Sequence, residues 1–134
     1  MTRRIDHIGI AVEDLDRALA FWRDALGLEV THVEDLPERG LRVAMLPLGD
    51  TRLELIASTR EDSEIARTLH SRGPGLHHLC LLSDAVDAEL TRLGEGGTRL
   101  IDRQARPGAD GARVGFVHPK ASGGVLVELS QPGP

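Results

Sequence analysis

Aromatic residues and cysteine are scarce in this chain, which has one tryptophan, two phenylalanines, no tyrosine and a single cysteine. So few rings leave little for stacking on bases, and a formal charge of −5 offers no general basic surface for a phosphate backbone. Nucleic acid is therefore not an expected partner. The lone Cys80 excludes an intramolecular disulfide, and its apolar neighbours mark it as a buried reduced thiol rather than a nucleophile. No apolar run approaches the roughly 20 residues that a bilayer needs. Met1-Thr2-Arg3-Arg4 leads directly into a strand-like segment without a signal-peptide apolar region, so no membrane association and a cytoplasmic location are expected.

What remains is ordinary for a folded globular chain. With 134 residues, 40% hydrophobic and 28% charged, the sequence has the length of one domain and no low-complexity stretch. Ile5 to Val12 reads as a strand. Asp14 can cap a helix whose apolar positions Leu15, Ala18, Leu19, Trp22 and Leu26 follow helical spacing, with Gly27 as its stop. Leu28 to Glu34, Leu41 to Leu48 and Arg52 to Ala57 are strand-compatible, the last two joined by a Gly49-Asp50 turn. A short linker helix over about 61–72, with Ile65 and Leu69 on one face, is broken by Gly73-Pro74-Gly75.

The same order then begins again. Leu76 to Leu82 predicts a strand and Asp84 to about Gly94 a helix. Strands are expected near Thr98 to Asp102, Arg113 to His118 and Val125 to Ser130. Leu15, Asp16 and Leu19 correspond to Val86, Asp87 and Leu90 at a constant separation of 71, the mark of an internal repeat. The fold class expected is α+β: one domain over 1–134, built of two tandem βαβββ modules over about 4–58 and 75–131. Their curved mixed sheets would form a half-barrel-like metal-binding cleft.

The repeat also singles out chemistry. It carries His7 onto His78 rather than His77, and because strand neighbours face opposite sides, only one of that pair should point inward. Near the end of each module an acid interrupts an apolar strand, Glu54 in Leu53-Glu54-Leu55-Ile56 and Glu128 in Val127-Glu128-Leu129. A carboxylate on the inner face of such a sheet is costly to desolvate and either stays protonated or needs a cation. Two imidazoles and two carboxylates, with no thiolate among them, suit one divalent Co, Mn, Ni, Zn or Fe ion per chain. Four such ligands on an octahedral ion leave two positions for a bidentate oxygen ligand, as a catalytic site requires.

At these residues the chain resembles the vicinal oxygen chelate (glyoxalase/bleomycin resistance/dioxygenase) superfamily, and within it the methylmalonyl-CoA epimerases. The resembling stretches are Ile5-Asp6-His7-Ile8-Gly9-Ile10-Ala11-Val12, Arg52-Leu53-Glu54-Leu55, Gly75-Leu76-His77-His78, and His118-Pro119-Lys120 followed by Gly124-Val125-Leu126-Val127-Glu128-Leu129. The resemblance implies metal ligands at His7, Glu54, His78 and Glu128. It also implies interconversion of (2R)- and (2S)-methylmalonyl-CoA by removal and return of the C2 proton through an enolate, and a homodimer.

Inversion at a carbon needs acid/base groups on both faces, and Glu128 is the catalytic candidate for one of them. Some epimerases of this family carry a further Glu where this chain has Val43, so the second group has no assigned residue. The acyl-CoA substrate needs cations, which Arg103, Arg106, Arg113 and above all Lys120 would supply to its phosphates or acyl group. The other histidines get structural readings: His32 and His70 at the surface, His77 turned away from the metal, and His118 orienting the turn at Pro119.

Two alternatives use the same features. A glyoxalase-type lyase or isomerase would employ a similar ligand set, and a drug-sequestering module of the same fold would bind a small molecule without catalysis. The C-terminal His-Pro-Lys and Gly-Val-Leu-Val-Glu-Leu stretches favour the epimerase reading over the first. Four strand-placed ligands weigh against the second, and the extra carboxylate Glu54 weighs against a ring-cleaving dioxygenase.

Overall fold

A computed structural model describes residues 3–134. Strand β1 (Ile5–Ala11) leads to α1 (Leu15–Leu19), which continues as a turn of π-helix over Ala20–Ala25. Strands β2 (His32–Leu36), β3 (Leu41–Leu48) and β4 (Thr51–Ser58) follow, then α2 (Glu64–Arg72). The second half comprises β5 (Gly75–Leu82), α3 (Val86–Glu95), β6 (Arg106–Pro107), β7 (Arg113–Val117), α4 (Pro119–Ser122) and β8 (Val127–Gln131). This is the expected α+β class with its repeated order. Among the described residues no helix is long and apolar enough to cross a membrane.

The chain packs as two compact units, residues 8–77 and residues 1–7 with 78–134, the boundaries falling inside β1 and β5. In the 8–77 unit the strand order is β2-β3-β4-β1. β3 and β4 pair antiparallel from Leu41↔Ser58 to Leu48↔Thr51 around the two-residue Gly49-Asp50 turn, where Gly49 takes φ +62°. Alternate residues Leu53, Leu55 and Ala57 join Ala44, Leu46, Val12, Leu15 and Leu19 in one core. The opposite face of β3 and β4 is also buried and carries Val43, Met45, Glu54 and Ile56.

In the other unit the sheet is mixed. β5 runs parallel to β8 with Cys80↔Glu128 in register, and β8 pairs antiparallel with β7 through Phe116↔Glu128. Residues in register share a face, as do residues two apart on one strand, so His78, Cys80, Glu128 and Phe116 all point to one side. On the other side Val86 and Leu90 of α3 pack on Leu129. The helix approaches so closely that a Cβ on Gly115 would lie 2.6 Å from Leu90 Cδ1, so any larger residue would displace the Leu90 side chain.

Several sequence expectations need correction. The strand expected over Leu28 to Glu34 begins only at His32; Leu28 and Val30 alternate because they pack against the core, not because they pair. Leu26, assigned to the apolar helix face, is 53% exposed. The π-turn, with Leu26 N bonded to Phe21 O, widens the helix and carries later residues out of the 3.6-residue register. Thr98 to Asp102 forms no strand, meeting β7 at the isolated bridge Leu100↔Val117 and through main-chain bonds of Ile101 and Asp102 to Phe116, and the short pairing strand β6 follows it. The linker helix starts at Glu64, capped by Ser63, and β8 starts at Val127.

Candidate metal centre

Three of the four expected ligands lie together in the unit formed by residues 1–7 and 78–134. The register that sets Cys80 opposite Glu128 puts His78 one pleat away on the same face, and β1 delivers His7. His7 Nε2 is 3.1 Å from His78 Nε2 and 2.9 Å from Glu128 Oε1, and His78 Nε2 is 2.9 Å from the same oxygen. All three side chains are buried, whereas His77 is half-buried. His78, rather than His77, is the histidine that meets Glu128.

The spacing itself tests the fit to a cation. Ligands in adjacent positions of an octahedral ion with bonds of about 2.1 Å lie about 3.0 Å apart, against about 3.4 Å in a tetrahedron. The three donor atoms match the first figure. Two neutral imidazole nitrogens and a carboxylate oxygen converging in a buried place are a donor set that a borderline divalent ion satisfies.

Electrostatics agree. Burial works to raise the Glu128 carboxyl, but the His7 and His78 imidazoles beside it outweigh that effect and hold the group well below the usual carboxylate range. Glu128 is thus kept in the anionic form that both a ligand and a proton acceptor need. Burial pushes the Cys80 thiol up to about 12 against the opposing effect of a hydrogen bond with His7, which is the chemistry of an inert thiol.

Two neighbours escaped the sequence reading. Asp6 Oδ2 is 2.8 Å from His7 Nδ1, and Asp6 is buried although it stands near the start of its strand. The signal was an acid next to a candidate ligand in an apolar strand, the same signal that marks Glu54 and Glu128. Phe116 meets the His78 ring edge to face, with centroids 5.5 Å apart. The Arg106 guanidinium lies 5.3 Å from the Phe116 centroid.

The remaining candidates belong to other elements. Glu54 is buried on β4 of the 8–77 unit, on the face it shares with Val43. Val43 is 1% exposed and carries no proton-transfer group. Lys120 is exposed, and its backbone N–H donates to His118 Nδ1 at 3.0 Å, so His118 does cap the turn at Pro119. His70 is exposed, and His32 is partly exposed and pairs with Glu34.

Residues 6–116 match the family model of the Glyoxalase/Bleomycin resistance protein/Dioxygenase superfamily. The chain is 41% identical over 129 residues to the mitochondrial methylmalonyl-CoA epimerase of Mus musculus, a match covering 96% of this chain and 72% of that protein. It is 39% identical over 133 residues to the ethylmalonyl-CoA/methylmalonyl-CoA epimerase of Cereibacter sphaeroides, covering 98% and 99% of the two. A variant of the Streptomyces coelicolor methylmalonyl-CoA epimerase, solved with 2-nitronate-propionyl-CoA, superposes with a TM-score of 0.90 at 41% identity, over 96% of this chain and 94% of that one. A fold with a buried two-histidine, one-carboxylate cluster, matched over most of its length, places the chain in the glyoxalase/bleomycin resistance/dioxygenase superfamily. Within that superfamily it belongs to the methylmalonyl-CoA epimerase family.

Proposed function

We propose that the protein epimerises (2R)- and (2S)-methylmalonyl-CoA by taking the C2 proton from one face and returning a proton to the other. The observation that carries this reading is the convergence of His7, His78 and Glu128 at octahedral ligand spacing. The near-full-length likeness to proteins named as methylmalonyl-CoA and ethylmalonyl-CoA epimerases supports it. The named substrate of the Cereibacter protein extends the substrate class to malonyl thioesters with a longer branch.

In this reading His7, His78, Glu128 and Glu54 hold one divalent ion, of Co, Mn, Ni, Zn or Fe. Such an ion supplies Lewis-acid stabilisation for negative charge developing on the substrate's oxygens. The buried imidazoles orient the site and exclude bulk water. The anionic Glu128 accepts the C2 proton as the C–H electron pair moves into the thioester carbonyl, giving the enolate. An acid on the opposite face then protonates C2. Val43 removes β3 as the source of that acid, so the second group is a water or another side chain.

Lys120 is the one lysine of the chain, and we assign it to the phosphates of the CoA moiety. Partial burial, then the cations of Arg99 and Lys120, push the His118 imidazole below its ordinary value. Anionic groups of the substrate would relieve that repulsion. The homodimer implied by the family resemblance belongs to the same proposal.

The test is to measure bound metal in the purified protein and follow deuterium entry at C2 of methylmalonyl-CoA in heavy water. Glu128→Gln is expected to slow exchange by about 10²- to 10⁴-fold, the usual contribution of a positioned acid/base group. A metal-loaded wild type that exchanges no C2 proton would overturn the reading.

A further inference from the structure

We propose that Asp6 is a positioning residue for the metal centre, fixing His7 as the tautomer protonated on Nδ1 so that Nε2 presents its lone pair to the cation. The inference rests on the metal reading given above. It begins from one ring touched at both nitrogens: Nδ1 lies 2.8 Å from Asp6 Oδ2, and Nε2 lies 2.9 Å from Glu128 Oε1. A neutral imidazole carries one N–H, and a metal takes only the bare nitrogen. A ring free to choose would share its proton between two carboxylates, and a proton on Nε2 would block the site.

Asp6 resolves that competition. Its oxygen accepts from Nδ1 in a buried place, with Asp6 and His7 only 7% and 3% exposed, where a charge-assisted hydrogen bond is strong and water does not readily replace it. A further near group is the Cys80 thiol, whose sulfur lies within 4.8 Å of the Asp6 and His7 donor atoms. A neutral thiol accepts a hydrogen bond far more weakly than a carboxylate does. A carboxylate on the outer nitrogen also raises the basicity of the inner one, which strengthens the metal bond.

The repeat sharpens the point, because the 71-residue shift that carries His7 onto His78 carries Asp6 onto His77. The preceding position therefore offers an anion to the first imidazole and none to the second. His78 instead has the Phe116 ring packed against it at an interplanar angle of 83°. His7 is thus held by charge on its outer nitrogen, and the Phe116 ring packs against His78.

Two measurements on the full chain test this. Long-range proton–nitrogen spectra of the metal-free protein identify which ring nitrogen of His7 is protonated. Wild type is expected to show Nδ1–H, Asp6→Asn to keep it because the amide oxygen still accepts, and Asp6→Ala to lose the preference. In Co²⁺ titrations followed by visible absorption, Asp6→Ala should bind about 10- to 100-fold more weakly with an altered spectrum, and Asp6→Asn about 3- to 10-fold more weakly with the wild-type spectrum. If Asp6→Ala does not fold, the Asp6→Asn pair of results, weaker binding with an unchanged tautomer, carries the test.

Wild-type His7 protonated on Nε2, or Co²⁺ affinity unchanged in both variants, overturns the proposal while leaving the metal site intact. Wild type that shows the Nδ1–H tautomer but takes up no Co²⁺ supports the Asp6 contact and overturns the metal reading instead.

Discussion

The second strand of each repeat is held in place differently. In the 8–77 unit β2 pairs with β3 over five residues, from His32↔Met45 to Leu36↔Leu41. In the other unit the corresponding β6 pairs with β7 only at Arg106↔Val114 and Pro107↔Arg113. Main-chain bonds from Ile101 and Asp102 N–H to Phe116 O, together with side-chain carboxylates, supply what the ladder lacks. Asp87 accepts from the Ala105 N–H at 2.7 Å and from Arg113 at 2.8 Å, and Asp102 accepts from the Phe116 N–H at 2.9 Å. A ladder is made of main chain and is indifferent to most substitutions, whereas a segment pinned in part by three side chains is exposed to single mutations and to acid. The pinned half is also the half that carries His78, Phe116 and Glu128.

The largest test of this contrast is in the ladder half. Leu46 is fully buried there, and Leu46→Ala is expected to cost about 2–5 kcal/mol in denaturant unfolding, through lost burial and the cavity left behind. The three-donor cluster should keep its metal affinity in the folded fraction. In the pinned half Asp102→Ala should cost about 1–3 kcal/mol, because it leaves the Phe116 N–H without its acceptor. Unlike Leu46→Ala it should also weaken metal binding, since Phe116 packs on His78. Equal effects of both variants on metal affinity would break the comparison.

Acid should separate the halves more gently. The Ala105 N–H, then Arg113, hold the Asp87 carboxyl below its ordinary value. A group whose folded value is depressed stabilises the fold above its unfolded value, and that contribution is lost as pH falls through the folded one. Amide resonances of residues 98–112 should therefore shift before those of β2 and β3 as pH drops below about 4. Asp87→Asn should abolish the difference. Smallest of all, Val33→Thr on the half-exposed edge of the ladder should change stability by about 0.5 kcal/mol or less, measured the same way as Leu46→Ala.

The donor cluster was legible in the sequence where its residues break an apolar pattern. His7, His78 and Glu128 interrupt buried strands, and the 71-residue repeat removed the ambiguity between His77 and His78. Asp6 was passed over although it stands next to a candidate ligand, because an acid near the start of a strand has the composition of a solvated end; its burial and its contact with His7 single it out. The α+β order was readable from periodicity, but periodicity does not distinguish pairing from packing. Leu28 and Val30 alternate like a strand and touch the core without a ladder, while the strand-like Thr98 to Asp102 finds one bridge. The π-turn after Leu19 was invisible because a 3.6-residue period, once begun, extrapolates past the point where the backbone changes its winding.

The long reach of the donor cluster has a consequence for how the molecule matures. His7 and His78 lie 71 positions apart and His7 and Glu128 lie 121 apart, so no local segment contains two of the three groups. Closing loops of that length comes late for a folding chain, after hairpins such as β3–β4 have formed. The donors converge only when β1, β5 and β8 are all in place. Uptake of an ion at this cluster would thus act as a proofreading event, withheld from nascent or partly folded chains and granted to the completed fold.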